Sequence, residues 1–157
     1  MQERLMMVLA LDFVSLMLAA LLVGAMFAVC LVFNPTGLDA KTYVRQQQWG
    51  IHTLHPVMPV LGVMTALAIL AAAFLSRDDK SHLTLLLAAA GLFIASGIIT
   101  RLLSMPINAT VLTWSAQAPP ADWGQLRDTW WRWHMMRLGA GLLGLCLLIL
   151  AVLRPHA

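Results

Sequence analysis

The sequence predicts an all-α membrane protein: a bundle of four transmembrane helices, with a short extra helix in the first loop and an aromatic-rich third loop. Three observations predict it. The apolar set A, V, I, L, M, F, W, Y and C makes up 61% of the 157 residues and charged residues only 11%, against about 45–50% and about 25% in an average soluble domain. So few charges cannot cover the surface of a soluble globule. The apolar residues also gather into four runs of the roughly 20 residues needed to cross hydrocarbon. The polar connections between those runs are unequal in length. The chain is therefore expected to form a single integral membrane domain over residues 1–157. The same composition excludes a disordered chain, a nucleic-acid-binding basic domain and a disulfide scaffold. The net charge of +3 comes from ten Lys and Arg scattered near helix ends, and the two Cys, Cys30 and Cys146, lie inside apolar runs.

The first span runs from Leu5 to Phe33. It is too long for the 7–15-residue core of a signal peptide, and Val29 before Cys30 makes no lipobox, so a retained first helix is expected. Asn34-Pro35-Thr36-Gly37 stops it. In the connection Asn34 to Gly50, Asp39 is placed to cap a short helix through Tyr43 and Arg45 to Gln48. The second span covers Leu54 to Leu75. Ser76 to Ser81 is a tight polar turn, so the second and third helices should be antiparallel neighbours. The third span covers Leu83 to Met105, where Pro106 biases Met105 away from helical dihedrals. The connection from Pro106 to about Arg127 carries Trp114, Trp123 and Pro119-Pro120. The fourth span covers Arg137 to Leu153, with an amphipathic start reaching back to about Asp128.

Four spans put both long connections on one side and the short turn and both termini on the other. The long, aromatic side can build a mouth or lid. Lys and Arg near the spans set orientation: Arg4, Arg77, Lys80 and Arg154 mark the terminal side, and Lys41, Arg45, Arg127, Arg101, Arg132 and Arg137 the loop side. Counting the helix-end Arg residues Arg101, Arg132 and Arg137 puts the long loops inside; taking them as functional, the reading favoured here, places the termini in the cytoplasm of a bacterial inner membrane. Trp114, Trp123, Trp130, Trp131 and Trp133 fit an interfacial belt on the loop side.

Small residues repeat at four-residue spacing: Ala20, Gly24 and Ala28; Gly91 and Ala95; Ala140 and Gly144. Such repeats let helices approach closely. They are read as internal bundle packing, with a homo-oligomer seam as the alternative. The ten Met are read as gap fillers rather than a copper site.

The scarce polar residues point to chemistry. Trp130, Trp133, His134, Arg137, Gly141 and Gly144 fall within an arc of about 100° on the fourth helix. An ionisable residue at that depth usually faces a bundle interior or a wet cavity; the bland reading is that Arg137 snorkels to headgroups. Its sharing a face with Gly141 and Gly144 favours the interior. Ser96, Gly97, Thr100, Arg101 and Ser104 occupy about 140° of the third helix, with Arg101 either polar lining or snorkelling. Asn108 either serves a cavity mouth or caps local backbone. His52, His55, Pro59 and Gly62 share a face of the second helix. With His134, the pair His52 and His55 could hold a metal or haem, although two His at a water boundary need no ligand. Asp12 is read as an interfacial residue rather than a buried partner, and His82 and His156 as lying on the far side. There is no GxSxG, phosphate-binding glycine loop, HExxH or CxxC, and neither Cys has a basic sequence neighbour to activate it.

Pro106-Ile107-Asn108, followed about twenty residues later by Trp130-Trp131-Arg132-Trp133-His134-Met135-Met136-Arg137 opening an apolar helix, resembles the anthrone-oxygenase-like family of small four-helix membrane proteins. Gly24 to Phe33, Asn34-Pro35, Tyr43-Val44, Gln47, Pro56 and Pro59 agree with its front half, so the resemblance covers about residues 15–153. Trp133 and Arg137 match in register. His134 stands where the family pattern has Asn, and Met135 where it has His; one residue turns a side chain by about 100°. The resemblance implies a cofactor-free oxygenation of a flat, apolar, weakly acidic aromatic ligand such as a phenol or quinone. Trp130, Trp133, Tyr43, His55 and Arg101 would contact that ligand. His134 or His55 would act as base, and Arg137 and Asn108 would stabilise an anion. A haem or metal protein, and a non-catalytic membrane subunit, are the competing expectations. No nucleic acid is expected as partner; the lipid bilayer is.

Overall fold

The computed structural model describes residues 2–154. Helix α1 spans Gln2–Val32, α2 Ala40–Leu54, α3 Met58–Leu75 and α4 Lys80–Ile99. A π-helical turn over Thr100–Ser104 joins α4 to α5, Met105–Leu112, and α6 spans Trp123–Leu153. Four continuous helices are long and apolar enough to cross a membrane: Gln2–Val32, Met58–Leu75, Lys80–Leu112 and Trp123–Leu153. The all-α four-span architecture is therefore as expected.

The four spans close into a ring in which α1 touches α3 and α6, and α4 touches α3 and α6. The centre is filled by Ala19, Val23 and Met26 of α1, Ile69, Ala72 and Ala73 of α3, Leu86, Ala89, Ala90 and Phe93 of α4, and Leu138 and Leu148 of α6. Large apolar side chains such as Phe13, Leu21, Phe27, Leu67, Phe74 and Leu143 face outward, as lipid-facing surface requires. The turn between α3 and α4 is held by Asp79, whose Oδ1 accepts from the backbone N–H groups of Ser81 and His82 at 3.1 and 3.0 Å. From the other side Arg4 donates from Nε and Nη2 to the Leu75 carbonyl at 3.0 and 2.6 Å and pairs with Asp78. These bonds satisfy helix ends that have no intrahelical partners.

Four boundaries differ from the sequence reading, the simplest being that of α6, which starts at Trp123 rather than at about Asp128. Helix α2 does not stop at Gln48 but continues to Leu54. At Gly50 a Cβ would lie 3.2 Å from the Phe33 ring, so the glycine allows α2 to press on the segment just past the end of α1. His52 and His55 consequently belong to α2 and its C-cap, not to the second span, which starts at Met58 after a turn over residues 55–57. The third helix does not end at Met105. Proline inside a helix lacks a donor and collides with the carbonyl four residues back. The widened turn before Pro106, in which the Met105 N–H reaches back to the Thr100 carbonyl, absorbs the misfit, and the helix proceeds to Leu112.

The small-residue repeats split. Ala20, Gly24 and Ala28 lie on the outer face of α1, and a Cβ on Gly24 or Gly91 would meet nothing within 4 Å. Gly144 does pack internally: its Cβ would stand 3.0 Å from the Phe93 ring and 3.4 Å from the Ala89 carbonyl. The ring is rigid and the carbonyl is backbone, so neither yields easily. Gly144→Leu is expected to cost about 1–3 kcal/mol by overpacking, read as a lowered melting temperature in detergent. Gly91→Leu, on the open face, should leave the melt nearly unchanged; equal melts for the two variants would contradict this packing.

Asp12 and His82 are also placed differently from expectation. Both are buried, and Oδ2 of Asp12 lies 3.2 Å from Nε2 of His82. The other imidazole nitrogen is 3.2 Å from the Ala151 carbonyl. Asp12 is thus a buried partner that ties α1 to α4 and α6 near the terminal side. His156 lies outside the described residues.

Candidate functional site

A half-open cavity of about 80 Å³ lies at the loop-side ends of the helices. Met26 and Val29 come from α1, and Phe33 directly follows it. Gln47, Gly50, Ile51, Leu54 and His55 come from α2 and its cap, and Met58 and Pro59 from α3. Thr100 of the π turn, Met105 and Asn108 of α5, and Trp130 and Arg137 of α6 complete the wall. The long-connection side, where the sequence predicts a mouth, carries this cavity.

Helix α2 makes the roof. Asp39 caps it by accepting from the Thr42 amide at 3.1 Å and the Thr42 hydroxyl at 2.7 Å, and those two bonds hold its carboxyl below the usual range. Gln48 donates from Nε2 to the carbonyls of Val111 and Trp114 at 3.0 and 2.9 Å, pinning α2 to the end of α5. Tyr43 is buried beneath α2 in a cluster with Val44 and Ala116, its ring tilted against Trp123 at 5.7 Å. Burial pushes its phenol well above the ordinary value, against the opposing influence of Arg127. It therefore stays neutral and shapes the roof rather than the cavity wall.

Among the described residues Arg137 is the only Lys or Arg in the cavity wall. Among the described residues no carboxylate lies within ion-pairing distance of it. Its Nε donates to Nδ1 of His134 at 3.1 Å, with Nη2 2.8 Å from the same nitrogen. Its Nη1 donates to the Thr100 hydroxyl at 3.4 Å. That hydroxyl in turn donates to the Ser96 carbonyl at 2.9 Å, and the Ser96 hydroxyl donates to the Arg137 carbonyl at 3.1 Å. The π turn is what brings Thr100 to this position in the wall.

These bonds fix His134. A guanidinium can only donate, so Nδ1 accepts and Nε2 carries the proton. Nε2 then donates to the Met26 carbonyl at 3.1 Å, with Sγ of Cys30 3.3 Å away. His134 is fully buried and does not line the cavity. Both nitrogens are occupied, so it has none left for a substrate proton. The Trp130 ring stacks on it at 5.4 Å and 5°, and the Arg137 guanidinium carbon lies 6.0 Å from the Trp130 ring centre.

The structure brings Arg137, Asn108, Trp130 and His55 to one cavity. It does not bring the others. Trp133 and Tyr43 lie outside the wall, and Arg101 and His52 are exposed away from it. Trp133 is turned away because residues three apart on a helix differ by about 60°, enough to leave a narrow cavity. Asn108 accepts from Gln47 Nε2 at 3.3 Å, serving the mouth rather than local backbone. Among the described residues no three His, Cys, Asp or Glu gather at metal-binding spacing, so His52, His55 and His134 make no ligand set.

Sequence reasoning missed the tie from His134 to Met26 and Cys30. Cys30 does have basic neighbours, but they are more than a hundred positions away in sequence, and no local signal marks such a contact.

The family model described as anthrone oxygenase matches residues 48–147, more than half of the chain. No curated protein and no solved structure matches it.

Proposed function

The chain belongs to the anthrone oxygenase family, and on that premise we propose that its loop-side cavity binds a flat, apolar, weakly acidic aromatic molecule and promotes its oxygenation by dioxygen. One observation carries this reading: Arg137 sits in the cavity wall with no carboxylate partner among the described residues. A guanidinium in such surroundings is expensive unless it meets an anion. An anthrone supplies one when it loses a ring-methylene proton, and the resulting enolate oxygen is the anion that Arg137 would stabilise.

The reaction balances without a cofactor. Proton removal gives a delocalised carbanion, which passes one electron to dioxygen. The radical pair joins through a new C–O bond to a hydroperoxide, and loss of water leaves a carbonyl. The sum is one anthrone plus one dioxygen to one anthraquinone plus one water. His55 is the base in this reading, because it lines the cavity and is open to solvent for proton return. His134 positions Arg137 and Trp130. Asn108 and Gln47 offer amide groups to a second ligand oxygen. At about 80 Å³ the cavity is smaller than the roughly 300–1,000 Å³ of sites that enclose drug-sized ligands. It takes one ring of the molecule and leaves the rest at the open side.

Discounting Arg137 leaves Lys41, Arg45, Arg127, Arg101 and Arg132 on the loop side against Arg4, Arg77, Lys80 and Arg154 on the terminal side, a near balance under the positive-inside rule; cytoplasmic termini, with the cavity opening on the far side of a bacterial inner membrane, are part of this proposal. The test is oxygen uptake by the purified protein in detergent with a panel of anthrones. One dioxygen consumed and one quinone formed per anthrone, above the spontaneous rate, is the expected result. Uptake no faster than in empty detergent across the panel would sink the proposal.

A further inference from the structure

We infer that the Trp130 indole N–H and the Arg137 guanidinium together receive one anionic oxygen of the ligand, so that the cavity selects planar phenols and enols in their ionised form. The inference rests on the proposed reading of the cavity as a site for a weakly acidic aromatic molecule, and it adds a second, neutral donor to that site.

Trp130 is only 5% exposed, and its Nε1 is buried with no hydrogen-bond partner among the described residues. A buried indole N–H ordinarily finds an acceptor, because leaving it unmet forfeits its hydration with nothing in exchange. Trp130 also lines the cavity beside Arg137. A ligand oxygen there would supply the missing acceptor. Both donors are set before any ligand arrives. The face of the indole is stacked on His134, and the same imidazole accepts from the guanidinium. Donors held in advance need no rearrangement as charge develops on the ligand.

The donor pair defines the ligand chemistry. It offers one full positive charge and one neutral N–H, a combination that favours an oxygen bearing negative charge over a neutral ether oxygen. The rest of the wall is mainly apolar and aromatic (Met26, Phe33, Met58), which favours an aromatic body.

The probes are 1,2-dihydroxyanthraquinone, whose neutral and ionised forms differ in colour, and its dimethyl ether, titrated into the full-length protein in detergent. The protein is expected to bind the phenol in its ionised colour and about tenfold or more tighter than the ether. Trp130→Phe keeps an aromatic face for the stack and removes the N–H. It is expected to bind the phenol about tenfold more weakly while leaving the ether's affinity unchanged. Unchanged phenol affinity in Trp130→Phe would overturn the donor role and leave the Arg137 site standing. Failure of the native protein to bind either dye would overturn the reading of the cavity itself. Should Trp130→Phe not fold, the native protein labelled with ¹⁵N at its indole nitrogens gives an independent measurement. A buried indole N–H resonance should move downfield on saturation with the phenol and not with the ether; a full set of unmoved indole signals overturns the inference.

Discussion

Arg137→Gln is expected to lower the rate of anthrone-dependent oxygen uptake at saturating substrate by about 10²–10³-fold, the loss typical when one preorganised oxyanion donor is removed. The side chain supplies positive charge inside the cavity wall, where no carboxylate among the described residues neutralises it. Glutamine retains an amide donor and loses the charge, so folding should suffer less than chemistry. Arg137→Lys should do little better. A lysine keeps the charge but not the planar fork that donates to His134 Nδ1 and to Thr100 at once. The two variants therefore separate charge from geometry. If Lys restored full activity, charge alone would matter; if both variants matched the native rate, Arg137 would have no part in the reaction. Melting curves in detergent establish that the variants compared are folded.

Much of this architecture is legible in the sequence, because a bilayer imposes a coarse rule: apolar runs of sufficient length become spanning helices. The four spans, the tight turn at Ser76 to Ser81 and the loop-side location of the cavity follow from run length and connection length. What the sequence hides depends on contacts between distant positions. Pro106 reads as a stop because only the preceding π turn rescues the helix, and a π turn has no local signature. The packing role of Gly50 is hidden because the Phe33 ring it accommodates lies seventeen residues away, just past the end of another helix. On the fourth helix the arc from Trp130 to Gly144 faces inward except at Trp133, and its other members divide by depth: Arg137 and Trp130 reach the cavity, His134 lies behind them, and Gly144 meets Phe93. Helical periodicity gives the direction of a side chain but not what stands in front of it. Asn108 and Gln47 come from segments sixty residues apart, so their contact at the mouth was visible only as two separate polar residues.

A loss of stability is expected at the opposite end of the bundle. Asp12→Ala and His82→Ala are each expected to cost about 1–3 kcal/mol, the range for losing one side of a buried polar contact. Hydrogen bonds between membrane helices are usually modest, about 0.6 kcal/mol on average, so the prediction depends on which effect governs here. Burial decides it. Asp12 is 1% exposed and His82 2%, and each belongs to a different helix of the ring, with Ala151 of a third helix facing the second imidazole nitrogen. Removing one member takes this contact from a buried polar group, whereas a surface pair would simply rehydrate. Replacing both together, as Asp12→Ala with His82→Ala, loses the contact only once, so the double variant should cost less than the sum of the two single costs. That non-additivity is the sharp part of the prediction. Unfolding of the three variants in detergent measures it, and costs that simply add would show that the two residues act separately. The pair is remote from the cavity wall, so the folded fraction of each variant should retain the native rate of oxygen uptake. A fall in that rate would mean that the terminal end of the bundle communicates with the cavity through the α1 and α6 helices they share.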